Sequence, residues 1–241
     1  MSSLGPAELP FDQFAEDGRL SRIISVQDKL DSGNITIGLR SQSGVVLATE
    51  GNEQYALRRL YNVEGRIGVA VSGVGSIGQT LVDIAKTECS SYCSNFGADM
   101  NLRELQTRLA TYIHGHTISS VIQPLEVRLL CASYEEAGPM LYVIEPSGDS
   151  RGSYGAISGH GCNLAMNRLK GINLSSLSLE ELAKEATVMS YLANEKARIE
   201  IELGLIGGST GRFELASPRL LTECHNHANM VMQMLSRSDK H

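Results

Sequence analysis

Several groups of side chains in this sequence are of types and spacings that could do chemistry. Gly73-Val74-Gly75-Ser76-Ile77-Gly78 spells G-x-G-x-x-G between a strand-like run and a helical one. Glycines so spaced permit a tight turn and let backbone N–H groups approach a pyrophosphate at a helix N-terminus. Asp99 follows about 20 residues on, the separation at which a dinucleotide site places its ribose-binding acid. That unit also needs a parallel strand after its helix, with the acid at the strand's end. Here a second helix is expected instead, and Asp99 falls in the connecting GADMN loop. The plainer reading is a close strand-to-helix turn; a stand-alone nucleotide-dependent enzyme using Gly73, Gly75 and Gly78 is the alternative.

The other groupings are weaker. His114 and His116 flank Gly115 and could share a metal on a strand. On the helix expected there, the two rings diverge by about 200°, one toward the core and one toward solvent. Cys162 and His160 are a nucleophile and its base by type, but two residues apart at a helix start is poor geometry for their hydrogen bond. Cys89 and Cys93 share a helical face without two further ligands in a metal spacing. No Gly-x-Ser-x-Gly elbow occurs, and residues 207–212 (GGSTGR) lack the spacing and lysine of a phosphate loop. Neighbouring carboxylates such as Glu135-Glu136 and Glu180-Glu181 point apart. These residues imply no metal, no cofactor and no active site.

Composition narrows the class. The 241 residues carry 21 Lys plus Arg against 27 Asp plus Glu, a formal charge of −6, which argues against phosphate-backbone binding as the main task. With 42% hydrophobic and 20% charged residues, the chain reads as a folded globular protein. The first 20 residues show neither a basic cluster nor an apolar core of a secretory signal, and no apolar run suits a membrane span. Five cysteines, odd in number and widely spread, fit reduced thiols of the cytosol or nucleus, buried or half-buried.

The elements that must position any site follow from periodicity. Leu20, Ile23, Ile24, Gln27 and Leu30 form an apolar helical stripe that stops at Asp31-Ser32-Gly33. Residues 34–40 and 45–50 read as a hairpin around a four-residue turn, and residues 66–72 as a further strand. Helices follow from Gly75 to Phe96 and from Asn101 to about Ser119, the second with Glu104 placed for a capping box. Strands are expected at 126–134, 140–145 and 151–157, then helices at 160–169 and from Ser178, where Glu181 completes a capping box. Residues 198–206 alternate as a strand, and Ser217-Pro218 opens a last helix. Strands cluster in hairpins, so the expected class is α+β: two stacked antiparallel sheets flanked by helices, a four-layer αββα sandwich.

The order of these segments resembles the proteasome alpha-type subunits over residues 14–221. Residues 14–20 (FAEDGRL) are similar to the Phe-Ser-Pro-Asp-Gly-Arg-Leu that leads into that family's first helix. Residues 36–50 (TIGLRSQSGVVLATE) resemble its first hairpin, 59–73 (RLYNVEGRIGVAVSG) its Ala-x-Ser-Gly segment, and 141–148 (LYVIEPSG) its Leu-Tyr-x-x-Asp-Pro-Ser-Gly turn. Ser94-Asn95-Phe96-Gly97, Tyr112-Ile113-His114 and the C-terminal helix most resemble the seventh ring position. The family's Tyr-Asp-Arg gate sequence is absent near Pro6–Pro10.

The resemblance implies the N-terminal-nucleophile (Ntn) hydrolase fold, with residues 1–33 an extension and amphipathic helix, 34–236 one domain and 237–241 a tail. It also implies that the chain is not itself a peptidase. Gly33 precedes the nucleophile position, which holds Asn34, and an amide cannot serve as the attacking hydroxyl. The catalytic Asp position holds Glu50 and the catalytic Lys position Arg59, whose guanidinium is too basic to shuttle protons. What remains is a structural alpha-ring subunit of the proteasome core particle, part of a threonine-type endopeptidase. Its expected tasks are ring assembly, chamber gating and regulator docking in ubiquitin-dependent protein degradation, in cytoplasm and nucleus. Leu20, Ile23, Ile24, Gln27 and Leu30 are the expected ring interface, and Arg58, Arg59 and Gly73 the expected pocket for an activator's C-terminal carboxylate. The implied partners are other alpha subunits in a seven-membered ring, beta-ring subunits and regulatory caps, with neither nucleic acid nor membrane.

Overall fold

The computed structural model describes Gly18, residues 20–51, 58–119, 123–194 and 199–238. Among these residues the chain forms ten strands and six α-helices. One sheet holds β1 (Thr36–Arg40), β2 (Gly44–Glu50), β8 (Gly155–Ser158), β9 (Ile201–Gly207) and β10 (Phe213–Leu215), in the order β10-β9-β2-β1-β8. The other holds β3 (Leu60–Val63), β4 (Ile67–Gly73), β5 (Val127–Glu135), β6 (Gly138–Ile144) and β7 (Ser150–Gly152), in sequence order. Every recorded strand pairing is antiparallel.

Alternation along the strands builds the layers. In β2, Val45 and Leu47 face the other sheet and pack with its Leu130 and Leu141, and with Phe213 of β10 in their own sheet. Val46 and Ala48 face the opposite way, onto α5 (Leu179–Asn194) and α6 (Pro218–Ser238). In the second sheet, Val69, Val71 and Leu129 turn outward onto α2 (Gly75–Phe96) and α3 (Leu102–Ile118). The result is helices, sheet, sheet, helices, the expected four-layer α+β sandwich. The strand clusters seen in sequence do not each make one sheet, however: β1 and β2 join one, β3 and β4 the other. Gly68 and Gly204 lie beneath the Phe213 ring, which occupies the space their missing Cβ atoms would take.

Local signals act as expected at several helix ends. Ser178 and Glu181 make a reciprocal capping box, each backbone N–H donating to the other's side-chain oxygen at 2.8 and 3.3 Å. Asn101 Oδ1 accepts from Glu104 N–H at 2.8 Å, but the Glu104 carboxylate turns to Arg108 instead of closing the box. The Leu102 N–H donates to Glu135 at 2.7 Å, so a side chain from β5 helps cap α3. Ser217 Oγ accepts from Leu220 N–H at 3.3 Å at the start of α6.

Candidate functional site

The first helix, α1 (Ser21–Asp31), ends where the sequence stops it: Ser32 N–H donates to Asp28 and Gly33 N–H to Leu30. It lies against the ends of β4 and β5 through long-range contacts. Arg22 donates to the Ser119 carbonyl at 2.6 Å, and Lys29 pairs with Glu126 at 2.5 Å. Val26 and Leu30 are buried in the chain's own fold, which corrects the expectation that Leu30 faces a neighbour. Leu30 lies on Gly73, where a Cβ would come within 2.5 Å of its Cδ2. Leu20, Ile23, Ile24 and Gln27 stay partly exposed.

Gly73 is also where Arg59 is anchored. The Arg59 carbonyl accepts from Val71 N–H at 2.9 Å, extending the β3–β4 ladder by one residue. That pairing brings the Arg59 guanidinium to the Gly73 carbonyl, to which Nη1 donates at 2.8 Å. Gly73 has φ +105°, and a Cβ there would lie 2.3 Å from the Glu126 carbonyl oxygen, so only glycine fits without strain. Burial pulls the Arg59 pKa below its ordinary value, while the nearby Glu50 and Tyr61 charges oppose the shift. Arg58 is exposed, and its carbonyl accepts from the Tyr61 hydroxyl at 2.5 Å. The structure therefore joins Arg59 and Gly73 directly, with Leu30 on the other side of the glycine and Arg58 beside it in sequence.

The junction between α1 and β1 carries a network that sequence reasoning missed. The backbone N–H and ring Nδ1 of His160 both reach the Gly33 carbonyl oxygen, at 2.8 and 2.9 Å. Its Nε2 lies 2.6 Å from Asn194 Oδ1, and Glu50 Oε2 is 4.0 Å from Nδ1. His160 thus ties the peptide before Asn34 to the end of α5 and is not aimed at Cys162. Two flanking glycines, Gly159 and Gly161, were the only signal in the sequence for such a close approach. Thr36 is fully buried, on the face of β1 opposite Ile37 and Leu39.

The remaining motifs resolve plainly. After Gly73-Val74-Gly75-Ser76-Ile77-Gly78 come α2, then α3, and β5 returns antiparallel to β4, so the parallel strand of a dinucleotide unit does not follow. Gly78 lets α2 approach β4, since a Cβ there would meet Val71 Cγ1 at 2.2 Å. Asp99 forms an ion pair with Arg66. His114 is exposed and His116 half-buried, each with Nδ1 at a backbone carbonyl, so neither ring enters the core as one was expected to. All five cysteines are free; Cys93 is exposed, against expectation, whereas burial pushes the thiols of Cys89 and Cys131 up to about 11 and about 12. Among the described residues there is no group of three or more His, Cys, Asp or Glu placed to hold a metal, and no helix long and apolar enough to cross a membrane.

Comparison with known proteins adds the family. The model of the proteasome subunit family matches residues 30–200. Proteasome subunit alpha type-3 of Drosophila melanogaster is 32% identical over 234 residues, covering 92% of each chain. Its counterpart in Arabidopsis thaliana is 30% identical over 244 residues, covering 97% of this chain and 98% of the relative. The probable proteasome subunit alpha type-7 of Schizosaccharomyces pombe is 30% identical over 241 residues, covering 96% and 95%. With an antiparallel αββα sandwich whose β1–β2 hairpin, helix pair and glycine turn stand where the sequence resemblance puts them, the chain belongs to the proteasome subunit family, among its alpha-type members.

Proposed function

We propose that this chain is a structural, non-catalytic subunit of the alpha ring of a proteasome core particle, working beside beta subunits that carry out threonine-type proteolysis. Family membership across nearly the whole chain is the observation that carries the reading. The chemistry at the α1–β1 junction supports it. Asn34 stands at the position that would need a hydroxyl, and Arg59 at the position that would need a titratable lysine. Its Nη1 already donates to the Gly73 carbonyl at 2.8 Å. The seventh ring position is the finer part of this reading, supported by the resemblance of Ser94–Gly97, Tyr112–His114 and the α6 helix.

The part of α1 that remains partly exposed, Leu20, Ile23, Ile24 and Gln27, is the proposed face toward ring neighbours. Arg58, Arg59 and Gly73 are the proposed seat for the carboxylate of a regulatory cap's tail, with gating the associated task. Cytoplasm and nucleus are the proposed compartments, and ubiquitin-dependent degradation the process served. The test is incorporation: a tagged chain carrying Ile23→Asp and Ile24→Asp should fold but enter the particle at well under half the level of the unmodified chain. Undiminished incorporation would remove α1 from the interface. Failure of the unmodified chain to enter a particle would remove the ring reading itself.

A further inference from the structure

One polar cluster, buried between the two sheets, adjoins the Arg59 and His160 groups: Ser72 precedes Gly73, Thr49 precedes Glu50, and Ser158 lies two residues before His160. β1 pairs with β2 so that Thr36 opposes Thr49, and with β8 so that Thr36 opposes Ser158. Three hydroxyls therefore stand in a row across the sheet, with Cβ atoms about 4.5–5.5 Å apart. Thr36 and Thr49 have no exposure and Ser158 almost none. The row faces the other sheet, because Val45 and Leu47 share the face of Thr49 and pack there. At one end it is satisfied: Ser158 Oγ lies 2.8 Å from Ser72 Oγ and accepts from Arg128 Nη1 at 2.7 Å. At the other end, neither Thr36 Oγ1 nor Thr49 Oγ1 has a hydrogen-bond partner among the described residues.

Two adjacent buried hydroxyls without partners are costly, and interiors resolve such pairs with an ordered water that has two to four polar partners. We infer that the space between the sheets at Thr36 and Thr49 is a binding site for one structural water molecule, which bridges these two hydroxyls. At the satisfied end of the row the charged groups are already paired with one another. Arg128 donates to Glu145 at 2.7 Å, Arg151 pairs with Glu145 at 2.9 Å, and Asp149 lies 3.9 Å from Arg151, so two cations meet two carboxylates.

The test is a valine series in the full chain, read by thermal unfolding. A bridging water makes Thr36→Val and Thr49→Val each lower Tm by about 2–6 °C, because each leaves the water and the opposite hydroxyl short of a partner. The double variant then loses no more than the worse single, since both ends of the bridge are gone. High-resolution density for the unmodified chain should show one peak about 2.6–3.2 Å from both Oγ1 atoms, and this readout stands even if a variant fails to fold. Valine variants that match or exceed the parent's Tm, or that add independently, would overturn the inference. So would an empty site, or a peak with the anomalous signal of chloride.

Discussion

Gly73 serves three neighbours from one backbone position. Its carbonyl holds Arg59, and at its left-handed φ the missing side chain leaves room for both Leu30 and the Glu126 carbonyl. Gly73→Ala should therefore cost about 2 kcal/mol or more in denaturant unfolding, and should raise hydrogen exchange in α1 beyond that in the sheets. His225 carries a pH prediction. Burial lowers its pKa from the ordinary 6.5, so the unfolded imidazole takes up its proton first as pH falls. The unfolded chain then binds more protons, and stability that is full above the unfolded value is lost as pH drops from there toward the folded one. His225→Gln should flatten that part of the Tm-against-pH curve; an unchanged slope would assign the acid loss elsewhere. The candidate site was only partly legible at this scale. Gly73 and Arg59 were visible as residues, but their mutual bond comes from strand pairing. His160 was visible only beside Cys162; its actual partners lie 127 and 34 residues away, and chain separation carries no local signal.

Among the elements, the β3–β4 hairpin holds the one non-glycine residue with positive φ among the described residues, Glu64 at +52°, followed by Gly65 at +73°. Two left-handed positions in succession suit Asn-Gly better than Glu-Gly. Glu64→Asn should stabilise the fold by about 0.5–1 kcal/mol, seen as a higher urea midpoint at unchanged slope; a lower midpoint would mean that the glutamate has a compensating role. The same hairpin shows what periodicity can reach. Long amphipathic segments and capped ends gave α2, α3, α5 and α6 directly. β3 and β10 went unread because four and three residues are too short to show an alternation. The single strand expected at 151–157 is two, β7 and β8, which belong to different sheets. Between them, Ser153 Oγ donates to the Gly155 carbonyl at 2.7 Å.

For the whole molecule, the class and layering were legible because hairpin-clustered strands and helix pairs leave few ways to bury every apolar face. The assignment of strands to sheets was not, since it depends on pairings such as β2 with β9 across some 150 residues of sequence. The central claim is that this fold works as one wall of a ring and performs no peptide hydrolysis itself. Native mass spectrometry of the chain, tagged at its C-terminus and isolated gently from its own cells, tests that claim most directly. The account predicts recovery within a large particle holding related alpha and beta chains, with this chain's N-terminal segment intact through Asn34. Recovery as a monomer or small homo-oligomer, or as a mature chain beginning at or near residue 34, would contradict it.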